Sequence, residues 1–240
     1  VNPTSANYWL PLIEGAGLPV PRTLTVDSYD HRAMLGVFYG EDWDGYDAFS
    51  EDICKAAMDV GLPVFIRTDM GSAKHNGPVS YRLDRAEPIV LTPLLRDLVE
   101  DQESKFWLEP DATPSTILVR RWLDLDASFE AFGWRGNPGH PIAREWRLFA
   151  TAEGVECVHF YWPEHAIEEH NPTEENWREL LAEMASEPVP AELTEVAVRA
   201  AAVCDACPMW SVDFAQDIHG RWYLIDMAEG DKSWHPEHDG

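Results

Sequence analysis

Two apolar runs, Trp210 to Ala215 and Arg221 to Met227, flank the turn signal His219-Gly220, and each carries an acid in its interior, Asp213 and Asp226. Such runs around such a turn predict an antiparallel strand pair. A carboxylate inside an apolar strand is costly unless a cation or a hydrogen-bond donor meets it. Glu229 follows just past the second run. Mg²⁺ takes a few carboxylates and completes its octahedron with water and phosphate oxygens, so Asp213, Asp226 and Glu229 are candidate metal ligands. The competing reading is three hydrogen-bonded strand-end acids. His219 and His235 are read as turn and tail residues rather than ligands.

The rest of the chain must accommodate this strand pair within 240 residues, 45% of them hydrophobic and 11 of them Trp, enough for one large domain or two intimate subdomains. No apolar run approaches the roughly 18 to 20 residues of a bilayer span, and the N-terminal stretch lacks the pattern of a secretory leader, so a cytoplasmic location is expected. Forty-three acidic against 18 basic residues give a net charge of -25, a field that disfavours phosphate-backbone binding by nucleic-acid partners. A hydrated high-salt surface, a nucleic-acid mimic and a lysine-poor genome all fit this charge. Only four Lys occur, in keeping with the first and third. The acids are interspersed with apolar residues rather than run together, which weakens the mimic.

Cys54, Cys157, Cys204 and Cys207 do not make a disulfide framework. Cys204 and Cys207 form a lone CxxC with no second pair to complete a zinc site. Both extend a helical stripe of Leu193, Val196, Ala200 and Val203, which favours packing.

Periodicity and breakers predict helices over Asn7 to Leu18, Phe49 to Val60 and Ile89 to Glu100, and two more within residues 173–206, split by Pro188 and Pro190. Strands are predicted near Leu18 to Val26, Leu62 to Arg67, Ser115 to Leu123, Ile142 to Thr151 and Val155 to Trp162. Residues 27–46 read as a polar, aromatic stretch, 68–77 as a loop and 101–114 as a connection. Strands and helices segregate instead of alternating, so the expected class is α+β with two subdomains.

Two further segments carry chemistry. Val64 to His75 is an apolar strand ending in Arg67, then a small-residue loop holding Lys74, the combination a phosphate site needs, although no GxxxxGK[ST] is present. An edge strand with solvated charges is the alternative. In Pro141 to Phe149, alternation puts Glu145 and Arg147 on one face and Arg144 and Trp146 on the other, as in a polarised nucleotide cleft or a salt-bridge ladder.

In this order the segments resemble the ATP-grasp superfamily, and within it the proteins of bacteriophages and some bacteria with arginine at a usual lysine position. Gly61-Leu-Pro-Val-Phe-Ile-Arg67 resembles the strand whose terminal lysine contacts ATP phosphate. Ile117 to Asp126 resembles the hinge whose backbone reads adenine and whose later acid holds ribose. Pro141 to Phe149 and Trp210 to Gly230 resemble the phosphate and metal strands, and Asn7 to Thr25 the helix and strand that precede the fold. The resemblance implies an ATP-grasp fold of two α+β subdomains gripping a nucleotide: residues 1–60 before the grasp, 61–125 the small subdomain and 126–240 the large one. It implies ATP and Mg²⁺ as cofactors, with ATP held by Arg67, Lys74, Arg120, Trp122, Leu123, Asp126 and Glu145, with Arg147 and Lys74 catalytic. The metal acids are Asp213, Asp226 and Glu229. ATP-grasp ligases usually carry asparagine two residues after the second metal acid. Here that position is Ala228, and Glu229 is expected to substitute.

The implied activity is an ATP-dependent ligase that activates a small-molecule or peptide carboxylate as an acyl phosphate for attack by an amine or thiol. An ATP-binding chaperone or regulatory module is the second reading, and the acidic mimic the third.

Overall fold

The computed structural model describes residues 2–71, 81–106, 112–133 and 139–235. In chain order the elements are α1 (Ala6–Gly15), β1 (Thr23–Val26), α2 (His31–Phe38), α3 (Tyr46–Val60), β2 (Val64–Thr68), β3 (Arg82–Leu83), α4 (Pro88–Phe106) and β4 (Ile117–Arg121). There follow β5 (Ala127–Ala131), β6 (His140–Ala143), β7 (Glu145–Ala150), β8 (Val155–Phe160), α5 (Glu164–Glu168), α6 (Trp177–Ser186), α7 (Ala191–Val203), β9 (Trp210–Gln216) and β10 (Trp222–Glu229). Two compact units result. One comprises Val1–Val20, Asp124–Phe132 and Pro141–Gly240, the other Pro21–Leu123 and Gly133–His140.

In the second unit a sheet of order β1-β4-β2-β3 packs one face on helices. Val64 and Ile66 of β2 and Ile117 and Val119 of β4 meet Phe49, Ile53 and Ala57 of α3 and Leu91, Leu95 and Leu98 of α4 in one fully buried core. Gly61, at φ 101°, takes the backbone turn that ends α3 before β2. The stretch expected to be irregular contains α2, started by the Asp30 carboxylate accepting from Ala33 N. The helix predicted to stop at Glu100 continues to Phe106.

In the first unit the sheet order is β10-β9-β7-β8, antiparallel throughout. One face bears Leu148, Val212, Phe214, Leu224 and Met227, all fully buried, and α7 packs against β7, β8 and β9 while α1 packs against β10. The chain reverses between β9 and β10 at Gly220, at φ 77°, and the Asp217 carboxylate accepts from the backbone N–H of both His219 and Arg221. β5 and β6 form a separate two-stranded sheet, and Phe129, Ile142, Trp162, Trp177, Leu181 and Met184 cluster near it.

The CxxC does not continue the helical stripe, because α7 stops at Val203 and Cys204 is its C-cap. Cys204 is nonetheless fully buried, its carbonyl accepting from Trp210 Nε1 at 2.6 Å. Cys207 Sγ lies 3.1 Å from the Met209 carbonyl.

Candidate functional site

Register across the β10-β9-β7-β8 sheet sets up one row of side chains. Arg147 on β7 is the cross-strand partner of His159 on β8 and of Asp213 on β9, and Asp213 is the partner of Asp226 on β10. Cross-strand partners share a face, so His159, Arg147, Asp213 and Asp226 lie in line on the face opposite α7. The last member of the row depends on an irregularity. Up to Leu224 the pairing of β10 follows Leu224 to Phe214; it then shifts at Ile225, so that Asp226 rather than Ile225 meets Asp213. Without this bulge Asp226 would pair with Val212 and face the core. A bulge that re-aims one side chain is a recurrent feature beside functional sites.

Arg147 grips Asp213 in a fork, Nε to Oδ1 at 2.7 Å and Nη2 to Oδ2 at 2.8 Å. The pair is nearly buried, with 14% and 6% of the two side chains exposed. Burial works against the charged guanidinium, but the attraction and hydrogen bonds of Asp213 prevail and raise its pKa above the ordinary arginine value. Nη1 makes no hydrogen bond among the described residues, so one edge of the guanidinium is left to donate. The Arg147 guanidinium carbon also sits 4.8 Å from the centre of the Tyr161 ring. His159 places Nδ1 3.0 Å from the Phe160 carbonyl, and burial pushes its imidazole toward the neutral form. Trp234 and His235 pack edge-on against it at 5.1 and 6.0 Å between ring centres.

Glu145, two residues before Arg147 on the same face, is buried opposite Ala215. Arg144, expected on the other face of that strand, lies between β6 and β7 instead. It makes a short ion pair with Asp126 at 2.6 Å and a second with Glu187 at 2.7 Å. Asp126, whose expected role is to hold ribose, therefore has one oxygen engaged by a guanidinium.

The three expected metal acids are not brought together. Asp213 and Asp226 are cross-strand partners, but Glu229 pairs with Trp210 and by alternation belongs to the opposite face, where its carboxylate meets Lys232 at 3.1 Å. Ala228, partner of Ser211, is the residue that shares the face of Asp226. Among the described residues no group of three or more His, Cys, Asp and Glu side chains is arranged to hold a metal ion. Two facing carboxylates do fit Mg²⁺, which commonly takes one or two from protein and the rest of its shell from phosphate and water.

In the other unit, the sheet face turned away from α3 and α4 carries Arg67 and Leu118 as one cross-strand pair, and Phe65 paired with Arg120 on one side and Arg82 on the other. Arg67 and Arg120 are each only 5% exposed. Arg67 Nε donates to the Thr68 carbonyl at 3.1 Å and Arg120 Nε to Thr23 Oγ1 at 3.2 Å. Trp122 stacks on Tyr81 and carries the Arg82 guanidinium 4.6 Å above its ring. Leu123 follows, half-buried. Two buried arginines in so acidic a chain suit an anionic ligand. Lys74 lies outside the described residues.

The sequence reading missed Tyr161, His159 and the bulge. His159 could have been found from the two-residue alternation within β8 and Tyr161 by carrying it one step past the end; no counting rule locates the bulge.

Against this geometry, the model of an ATP-grasp domain, family 3 of its clade, matches residues 93–240. No curated protein matches the chain significantly. Among solved structures it is similar to the ATP-grasp ligase PsnB complexed with minimal precursor, at 15% identity and a TM-score of 0.51 over 99% of this chain and 55% of PsnB. PsnB complexed with minimal precursor, Mg and ADP gives 13% identity and a TM-score of 0.50 over 98% and 52%. Cdc123 from Schizosaccharomyces pombe gives 15% and 0.58 over 99% of this chain and 86% of Cdc123. The chain thus spans about half the length of PsnB, and likeness at such identities is one of fold.

Proposed function

We propose that this chain, which belongs to the ATP-grasp domains, in family 3 of its clade, and has their α+β fold, is an ATP-dependent ligase. It activates a carboxylate as an acyl phosphate, which an amine or thiol then attacks. The observation that carries this reading is the row of Arg147, Asp213 and Asp226 on one sheet face.

In this reading Arg147 donates from Nη1 to the distal phosphate while Asp213 holds the guanidinium by its other edge, and Arg67 and Lys74 hold further phosphate oxygens. Trp122 and Leu123 offer backbone to the adenine edge, Asp126 meets ribose with its outer oxygen, and Arg120 and Glu145 line the nucleotide. Asp213 and Asp226 would hold Mg²⁺, as PsnB has been solved with Mg and ADP; bound there, the ion would supply positive charge to neutralise phosphate oxygens. Fixed cations around the γ-phosphoryl group stabilise the charge that develops as it moves, with no reorganisation at the moment of reaction. The acyl phosphate needs exclusion of water until the nucleophile arrives.

ADP and phosphate are therefore the expected products, and chromatography of the nucleotides with candidate carboxylates tests this. AMP and pyrophosphate would overturn the mechanism.

A second reading, an ATP-binding module without turnover, is favoured by Ala228 at the usual asparagine position and by the engagement of both Asp213 oxygens with Arg147. ATP binding without product under any substrate would select it.

A further inference from the structure

We infer that Tyr161 is a positioning residue for Arg147, holding the guanidinium in place when Asp213 is shared with a metal. The inference rests on the reading of Arg147 as the donor to the distal phosphate. It starts from a conflict within the row. Both oxygens of Asp213 are taken by Arg147, at 2.7 and 2.8 Å. The same carboxylate is, with its cross-strand partner Asp226, the one proposed to hold Mg²⁺, since Glu229 lies on the other face and the Ala228 side chain has no ligating atom. A carboxylate that gives an oxygen to a dication gives up part of its hold on the arginine. The grip on Arg147 would then be weakest at the moment its aim matters most.

The Tyr161 ring is a partner that Mg²⁺, which takes oxygen ligands, does not compete for. Its backbone N–H donates to the Glu145 carbonyl at 3.0 Å, extending the β8 to β7 ladder by one residue past the end of β8. That bond fixes Tyr161 opposite Glu145 and so diagonal to Arg147, within reach of an aromatic side chain. The guanidinium carbon lies 4.8 Å from the ring centre, inside the range of a cation–π contact. This contact uses the ring surface and consumes no N–H, so Nη1 stays available to an incoming oxygen. Arg147 is thus held by two partners of different kinds, a carboxylate that can be shared with a metal and a ring that cannot.

The experiment is calorimetric titration of the folded chain with ATP and, separately, ADP, both with Mg²⁺, for wild type, Arg147→Gln, Tyr161→Phe, Tyr161→Leu and the double variant Arg147→Gln with Tyr161→Leu. The ratio of the two affinities reports the grip on the γ-phosphate alone and needs no turnover. Tyr161→Leu is expected to weaken ATP about tenfold and ADP by no more than about twofold, a loss within the range of one desolvated cation–π contact. Tyr161→Phe keeps the ring, and its loss on ATP is expected to stay well below that of Tyr161→Leu. The double variant is expected to lose no more on ATP than Arg147→Gln. Tyr161→Met serves in place of Tyr161→Leu should the latter melt below the titration temperature. Equal losses on ATP and ADP, no loss in Tyr161→Leu, or a loss in Tyr161→Phe as large as in Tyr161→Leu overturns the inference. An unchanged ATP preference in Arg147→Gln removes its premise, and the inference with it. A changed preference there beside an unchanged one in Tyr161→Leu overturns the inference alone.

Discussion

Arg147 and Asp213 are direct cross-strand partners joined by two hydrogen bonds and nearly buried. Removing one charge of such a pair leaves the other buried without compensation, at a cost of about 3 to 5 kcal/mol, whereas replacing both by apolar residues costs far less. Asp213→Asn is therefore expected to lower the urea midpoint strongly, and Arg147→Met with Asp213→Leu to recover most of it. An Asp213→Asn protein as stable as wild type would show that the pair is not buried as described.

Asp226 behaves oppositely. It is half-buried, repelled by Asp213 across the strands and attracted by Arg147, so the two effects of Asp226→Asn offset and the unfolding free energy is expected to stay within about 0.5 kcal/mol of wild type. Mg²⁺-dependent affinity for ATP is expected to fall about tenfold or more. A large loss of melting temperature without ligand would mark Asp226 as a structural acid.

The contrast between these two acids shows how far the sequence could be read. Apolar runs around His219-Gly220 were sufficient to predict the β9–β10 pair, because periodicity and turn chemistry are local. Which acids share a face is not local. The shift at Ile225 turns Asp226 toward Asp213 and leaves Leu224 and Met227, three residues apart, both buried on the far side. The exclusion of Glu229, in contrast, was legible: three residues from Asp226 on a strand is an odd step and reverses the face. Helix α2 was hidden because its eight residues include His31 and Gly36, weak helix formers that a cap and tertiary burial nevertheless hold. The ion pairs of Arg144 with Asp126 and Glu187 join residues 18 and 43 positions away, and no pattern within one element announces them.

Acid should destabilise the chain through named carboxylates. The hydrogen bonds of Arg144 hold Glu187 below its ordinary pKa. Burial opposes the same shift at Asp217, but Arg221 and two backbone N–H groups outweigh it. A depressed folded pKa means the unfolded chain binds protons first. The stabilisation is complete above the unfolded values of roughly 4 and is lost as pH falls through the lower folded values. Melting temperature measured from pH 6 down to pH 2.5 should fall mainly below about pH 4, and less steeply in Glu187→Gln. Equal slopes in the two proteins would remove Glu187 from the account.

Burial pushes the Cys204 thiol up to about 12 and the Cys207 thiol up to about 11. Neither is a thiolate at neutral pH, so both should resist alkylation in the native chain and react on unfolding. Elemental analysis of purified protein should find no stoichiometric zinc. Fast native labelling, or one zinc per chain, would reassign the CxxC.

The most direct test is calorimetric titration of the wild-type chain with ATP, once with Mg²⁺ and once with the metal chelated. The arginines proposed to meet phosphate cannot by themselves offset the field of a chain of net charge -25. Saturable binding of one ATP per chain is expected with Mg²⁺, weakened at least tenfold by chelation. Absence of binding with Mg²⁺ present would contradict the proposed function at its root.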